Sequence, residues 1–268
     1  MSVLPVPAAD SRAFHRAIRS FAALSRRVIL RRRVRGFRKR LKPDGSYVTD
    51  ADLEAERVLR AAIAKRFPDH GILGEELPPR NPDAEFQWIL DPIDGTLSFT
   101  HGIPFYGTII GLRRRGRPVA GLIDHPGLGL CYSAAVGQGA YRNERRLRIR
   151  DLASPADLER EVIAVGDRSR FVICGAQRPF DALMRRYPVV RGYADCLGHT
   201  LAAEGSVAAM VDYGIKLWDI AATQVLCEEA GGAFRVAYKQ SRKDGPTHYG
   251  IVCGKPRAVA ALSRLFSR

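Results

Sequence analysis

The sequence predicts a mixed α/β (α+β) fold in which helices and short strands alternate, and three observations predict it. Two stretches near the N-terminus repeat apolar residues at helical spacing. Four short apolar runs follow, Phe86 to Leu90, Gly107 to Leu112, Val119 to Ile123 and Leu130 to Ala135, each bounded by glycine, proline or charge. Beyond them, strand and helix signatures alternate again up to Gly231-Gly232. At 268 residues and 46% apolar content the chain can build one large domain or two small ones. A composition change near Gly137-Gln138-Gly139 places a subdomain boundary around residues 140–155, dividing residues 1–145 from 146–268.

The elements can be justified in order. Phe14, Ala17, Ile18, Phe21, Leu24, Val28 and Ile29 share one helical face over residues 10–35, with arginines opposite. Lys42-Pro43-Asp44-Gly45-Ser46 is a turn. Thr49 or Asp50 can cap a helix from Ala51 to about Phe67, turning Leu53, Val58, Leu59, Ala62 and Ile63 inward. Ile72 to Gly74 reads as a short strand that runs into Glu75-Glu76. In the second half, Val162 to Val165, Phe171 to Cys174 and Val189 to Tyr193 read as strands. Phe180 to Tyr187, Leu197 to Ala209 and Ile220 to Ala230 read as helices, the last with Asp219 at its N-terminus and glycines at its C-cap.

Composition narrows the function classes. No apolar run approaches the length of a membrane span, and no charged start leads into an apolar signal segment. Five dispersed cysteines without a Cys-x-x-Cys pair suggest reduced thiols in a cytoplasmic setting. The net charge of +15 is concentrated in Arg26 to Lys42. Such an excess suits nucleic acid, an acidic surface or an anionic substrate, but no nucleic-acid motif accompanies it and a solvated helix face explains it as well.

The chemistry concentrates in Trp88-Ile89-Leu90-Asp91-Pro92-Ile93-Asp94-Gly95-Thr96. An apolar strand ends in two carboxylates; Pro92, which has no N–H, is expected to stop the ladder. Gly95 permits a tight turn and Thr96 can open a helix. Carboxylates bind hard cations, and free N–H groups at a helix start bind anions, so the stretch suits a metal-bound phosphate. Taken alone, Asp-x-x-Asp is equally a turn former. Asp52 and Asp219 likewise read as helix-start carboxylates.

Four segments together resemble the inositol monophosphatase-like superfamily of magnesium-dependent phosphomonoesterases. They are Val48-Thr49-x-Ala51-Asp52, Gly74-Glu75-Glu76, Leu90 to Thr96, and Trp218-Asp219-x-Ala221-Ala222 with Glu229-Ala230-Gly231-Gly232. The resemblance implies a layered α-β-α-β-α sandwich of the inositol monophosphatase and fructose-bisphosphatase type, commonly dimeric, with the metal site where the halves meet. It implies that Glu75, Asp91, the carbonyl of Ile93, Asp94 and Asp219 ligate two or three Mg²⁺ ions, with Mn²⁺ an alternative. By the same resemblance Thr96 and Asp52 orient the attacking water, with Glu75 beside them. The amides of Gly95 and Thr96 cradle phosphate, Lys42 matches a mobile-loop lysine, and Glu76 belongs to the motif without an assigned role. An all-oxygen ligand set is consistent with Mg²⁺ or Mn²⁺ over zinc.

The second half is where relatives choose the leaving alcohol. Asp195 stands where inositol-type members carry a small residue, and resembles the histidinol-phosphatase branch, in which a carboxylate meets an amine. Asp212 matches an acidic substrate-contacting position, and Gly102-Ile103-Pro104 with Gly107-Thr108 also resembles that branch. Asp195 reads equally as a buried structural acid. His101, His125 and His199 read as structural or surface residues. Histidinol phosphate is therefore the expected substrate. An inositol, sugar or nucleotide phosphate is the alternative. A regulatory protein of the same fold, binding RNA or a transcription complex through the basic N-terminus, is an alternative of another class.

Overall fold

The computed structural model describes residues 6–242 and 245–266. The chain opens with a 28-residue helix, α1 (Ala8–Arg35), then a hairpin of β1 (Lys39–Leu41) and β2 (Tyr47–Thr49). Next come α2 (Asp50–Arg66), β3 (Gly71–Gly74), β4 (Phe86–Asp94) and the one-turn α3 (Thr96–Thr100). β5 (Gly107–Arg114), β6 (Arg117–His125), β7 (Leu130–Ala135), β8 (Gly139–Arg142) and β9 (Arg145–Arg146) follow as a meander. The second half holds β10 (Ile163–Val165), α4 (Arg168–Ile173), α5 (Gln177–Arg186), β11 (Val190–Gly192) and α6 (Asp195–Glu204). β12 (Ala209–Ile215), α7 (Thr223–Glu229), β13 (Ala233–Arg242), β14 (Gly245–Gly254) and α8 (Pro256–Phe266) complete it.

These elements form the layered sandwich. Seven strands lie side by side in sequence order from β3 to β9, and a second sheet has the order β11-β10-β12-β14-β13. Alternation along β4 shows why the first sheet needs cover on both faces: Trp88 and Leu90 enter a core with α1 and α2, while Ile89 enters a core with α6 and α7. The second sheet shares that middle helical layer and buries its outer face under α4, α5 and α8. The result is the order α-β-α-β-α. The sheets approach the middle layer closely: a Cβ on Gly111 would lie 2.5 Å from the Ala221 carbonyl oxygen, so the segment that carries Asp219 rests flat on β5.

Several expected elements differ. β4 is not stopped by Pro92 but runs to Asp94, its register against β5 shifting between Asp91 and Asp94. That irregularity accommodates the missing N–H without ending the strand. Phe171 to Cys174 is not a strand, because Asp167 caps a short helix by accepting from Ser169 N–H, and only Phe171 of the run is fully buried. Gly205, in the left-handed region, stops α6 before the strand that begins at Ala209. α7 starts only at Thr223, so Asp219 sits in the preceding turn and not at a helix N-terminus. Tyr47-Val48, too short to assign from sequence, is β2.

The arginines of α1 are partly paired. Arg26 Nε donates to Asp124 Oδ2 at 2.9 Å, and Arg32 Nε to Glu54 Oε2 at 2.6 Å, tying α1 to the central strand β6 and to α2. Arg31 also meets Glu54, and Arg33 donates to the Phe99 carbonyl at 3.2 Å. Among the described residues no helix is long and apolar enough to cross a membrane.

Candidate active site

The site follows from one topological fact: β3 and β4 are parallel neighbours, so their C-terminal ends open at the same edge. Glu75 N–H donates to the Leu90 carbonyl at 3.1 Å, which sets Glu75 beside Asp91. The irregular end of β4 then carries Asp94 to the same opening, and Gly95, at φ +77°, turns the chain into α3. Across the cleft the second half supplies Asp212 from β12, Asp195 from the first turn of α6 and Asp219 from the turn after β12. Glu75, Asp91, Ile93, Asp94, Gly95, Thr96, Asp195, Asp212 and Asp219 all line one cavity of about 500 Å³.

Ligand atoms of Asp91, Asp94 and Asp219 lie within 4.8 Å of one another. Two carboxylates at about 4 Å repel by roughly 4 kcal/mol at an effective dielectric near 20. Burial first, then Glu75, Asp94 and Asp219, raises the Asp91 carboxyl well above the ordinary range. Asp94 is raised in the same way by burial and by Asp195 and Asp219, and Asp219 is pushed up to about 7 by burial and Glu75. Asp91 Oδ1 is buried and has no protein hydrogen-bond partner. Oxygen donors clustered around an orphaned carboxylate oxygen fit a hard divalent cation. Asp94 Oδ2 accepts Cys196 N–H at 2.5 Å, and Asp219 Oδ2 accepts Lys216 N–H at 2.7 Å, so each acid keeps an oxygen for other partners.

Asp52 plays two parts that its sequence position left open. Its Oδ2 accepts from Thr49 N–H at 2.8 Å, closing a capping box at the start of α2. Its Oδ1 lies 3.4 Å from Thr96 Oγ1, which also donates to the Ile93 carbonyl at 2.9 Å. Burial pushes Asp52 up to about 6. Asp52 does not line the cavity and reaches it through Thr96.

Lys42 stands apart from the cavity lining. Its ammonium donates to Glu75 Oε1 at 2.8 Å and Glu76 Oε1 at 2.6 Å, in a side cleft. It is thus a partner of the acids and not among the residues that line the cavity. Asp195 is half-buried, at φ +59°, and pushed up to about 6 by burial and Asp212. Asp212 Oδ2 is 3.2 Å from His199 Nε2, and His199 Nδ1 is 3.0 Å from Thr223 Oγ1. His199 therefore lines the cavity as a link between Asp212 and α7. His125 is buried against Thr200, and His101 is exposed.

Sequence reading missed Asp167, Arg170 and Lys216, all of which line the cavity. The α4 residues were hidden by reading that segment as a strand. Lys216 was visible only as a neighbour of Trp218. Glu56, fully buried on α2, was also missed; its spacing of four from Asp52 puts both acids on one helix face.

The crowded acids set the sign of a pH effect. Glu76 is pushed up to about 7 by burial and Glu75, and Asp52, Asp195 and Asp219 also lie above their unfolded values. At these four acids the native state binds more protons than the unfolded state between about pH 4 and 7, so they make metal-free stability fall as pH rises through that window, against the opposite effect of His125, which burial lowers to about 4. Tm of the metal-free protein is expected to be higher at pH 5.5 than at pH 7.5, with the difference reduced by saturating divalent cation. A metal-free Tm that rises over this interval contradicts the assignment.

Comparison with known proteins agrees with the geometry. The sequence model of the inositol monophosphatase family matches residues 15–267. A histidinol-phosphatase of Chlorobaculum parvum is 37% identical over 216 residues, covering 80% of this chain and 81% of its own. An inositol-1-monophosphatase of Mesorhizobium japonicum is 35% identical over 201 residues, covering 72% and 73%. The solved structure of the suppressor protein suhB of Bartonella henselae superposes with a TM-score of 0.81 at 27% identity, over 96% of this chain and 99% of that one.

Proposed function

Because the chain belongs to the inositol monophosphatase family, we propose that it is a Mg²⁺-dependent phosphomonoesterase whose substrate is histidinol phosphate. The phosphatase class follows from the family; the metal and the substrate are the proposal. The observation that carries the metal is the Asp91-Asp94-Asp219 cluster, in which a buried Asp91 oxygen has no partner. Glu75, Asp91, Asp94, Asp219 and the Ile93 carbonyl would hold the ions. When bound, Mg²⁺ lowers the pKa of water and neutralises developing charge on the leaving oxygen.

The protein groups divide the remaining work. The Thr96 hydroxyl, held between the Ile93 carbonyl and Asp52, would turn its proton to Asp52, accept the attacking water's proton at Oγ1 and pass its own to Asp52. The amides of Gly95 and Thr96 would hold the phosphate at the start of α3. That helix has only five residues, so the amides themselves carry the contact and the dipole adds little. Asp195 supports the substrate assignment. It lines the cavity with its Oδ2 beside Gly95, and Asp212 is the acid that raises it most. Two carboxylates beside the leaving group suit an alcohol that carries an amine.

An amine-to-carboxylate contact at a partly wet site contributes about 1–3 kcal/mol, or roughly ten- to a hundredfold in kcat/KM. L-Histidinol phosphate is accordingly expected to exceed inositol monophosphate in kcat/KM. Asp195→Ala is expected to narrow that gap while leaving hydrolysis of a neutral aryl phosphate largely intact. Preference for inositol monophosphate, or equal damage to every substrate by Asp195→Ala, would refute the histidinol assignment and leave the phosphatase class standing.

A further inference from the structure

Among the described residues, one fully buried and well-satisfied acid is one that the reaction does not use. Glu56 has no accessible surface, and its carboxylate is enclosed by the loop that carries Glu75. Oε2 accepts from Glu76 N–H at 2.9 Å, and Oε1 accepts from Leu77 N–H at 3.2 Å. Arg60, one turn further along α2, donates Nε–H to the same Oε1 at 2.7 Å. Arg60 also reaches the carbonyls of Leu77 and Pro78, at 2.8 and 2.9 Å. On the other side of Glu75, a Cβ at Gly74 would lie 2.1 Å from Glu56 Oε1. The carboxylate therefore occupies the space that a side chain at Gly74 would need.

We propose that Glu56 is a positioning residue that sets the metal affinity of the site by fixing the backbone on both sides of Glu75. The reasoning is geometric. After Gly74 the strand β3 ends, and the backbone of Glu75 is tied to β4 by its own N–H alone. The next two amides have no strand partner and take the Glu56 carboxylate instead. Lys42 grips the Glu75 and Glu76 side chains from one side, while Glu56 holds the Glu76 and Leu77 amides from the core. One face of α2 thus supports two working groups, through Asp52 toward Thr96 and through Glu56 toward Glu75. Partners that orient metal ligands typically contribute 10- to 100-fold to metal affinity.

The proposal rests on the metal reading, and its test separates the two. Mg²⁺ and Mn²⁺ binding to the full chain would be measured by titration calorimetry for wild type, Glu56→Gln and Arg60→Gln, alongside Tm of each metal-free protein. Gln offers one acceptor oxygen in place of two, so either the Glu76 amide or the Leu77 amide together with Arg60 loses its acceptor. The expected result is at least a tenfold higher Kd in Glu56→Gln and a smaller, several-fold rise in Arg60→Gln. A purely structural role would lower the metal-free Tm and leave the Kd of the folded protein unchanged. If Glu56→Gln folds and binds metal within twofold of wild type, the proposal is wrong. Should Glu56→Gln not fold, an unchanged Kd in folded Arg60→Gln overturns it. Wild type that binds neither ion overturns this proposal together with the metal reading.

Discussion

Asp91→Asn is expected to lower kcat by about a thousandfold or more while keeping the fold. The figure follows from one lost ligand charge: about 4 kcal/mol at 4 Å and an effective dielectric near 20, at 1.36 kcal/mol per tenfold. The same substitution should not destabilise the metal-free protein. Asp91 is buried beside Glu75, Asp94 and Asp219, which already favour its neutral form, and Asn is nearly isosteric with that form. A variant with an unchanged or higher metal-free Tm and almost no turnover is therefore the expected pair of results. Steady-state phosphate release and thermal unfolding check it. Activity within tenfold of wild type would show that Asp91 holds no essential charge.

Asp52→Asn is expected to lower kcat by about 10²–10⁴-fold, the usual contribution of a positioned general base, and to change KM far less. The competing reading is that Asp52 only closes the capping box with Thr49. An asparagine at this position still presents an oxygen to the Thr49 N–H, so the helix start loses at most about 1 kcal/mol. The two roles use different oxygens: Oδ2 faces Thr49 and Oδ1 faces Thr96. A large fall in kcat with a small change in Tm assigns Asp52 to the water. A change in KM alone, or in Tm alone, assigns it to the helix.

How much of this was legible in the sequence depends on the range of the forces involved. α2 was readable because its cap, its apolar spacing and its acidic first turn are all local. The strands β3 to β7 were readable for another reason: they are largely buried, continuous apolar runs, whereas β8 and β9 of the same sheet, half-exposed and exposed, gave no such signal. The acids were recognisable from four motifs, and the structure gathers Glu75, Asp91, Asp94 and Asp219 around one cavity. What failed to show depends on contacts between distant residues. The run Phe171 to Cys174 has the composition of a strand, yet Asp167 caps it into a helix that lays Phe171 on Tyr213 and Phe266. Arg170 reaches the cavity only through that helix. The strands β13 and β14 carry too many polar residues on their exposed portions to stand out, and they are specified by pairing with each other and with β12. Glu56 gave no signal beyond its spacing from Asp52, because its partners are main-chain amides and main-chain amides leave no trace in a sequence.

The central claim is that clustered carboxylates form a working site only around divalent cations. The most direct measurement is phosphate release from a neutral aryl phosphate, which uses the metal site without the recognition acids. The protein would be assayed after exhaustive EDTA treatment and again during back-titration with Mg²⁺. The account predicts no detectable release in chelator and full, saturable recovery with Mg²⁺. Undiminished hydrolysis in EDTA would contradict it.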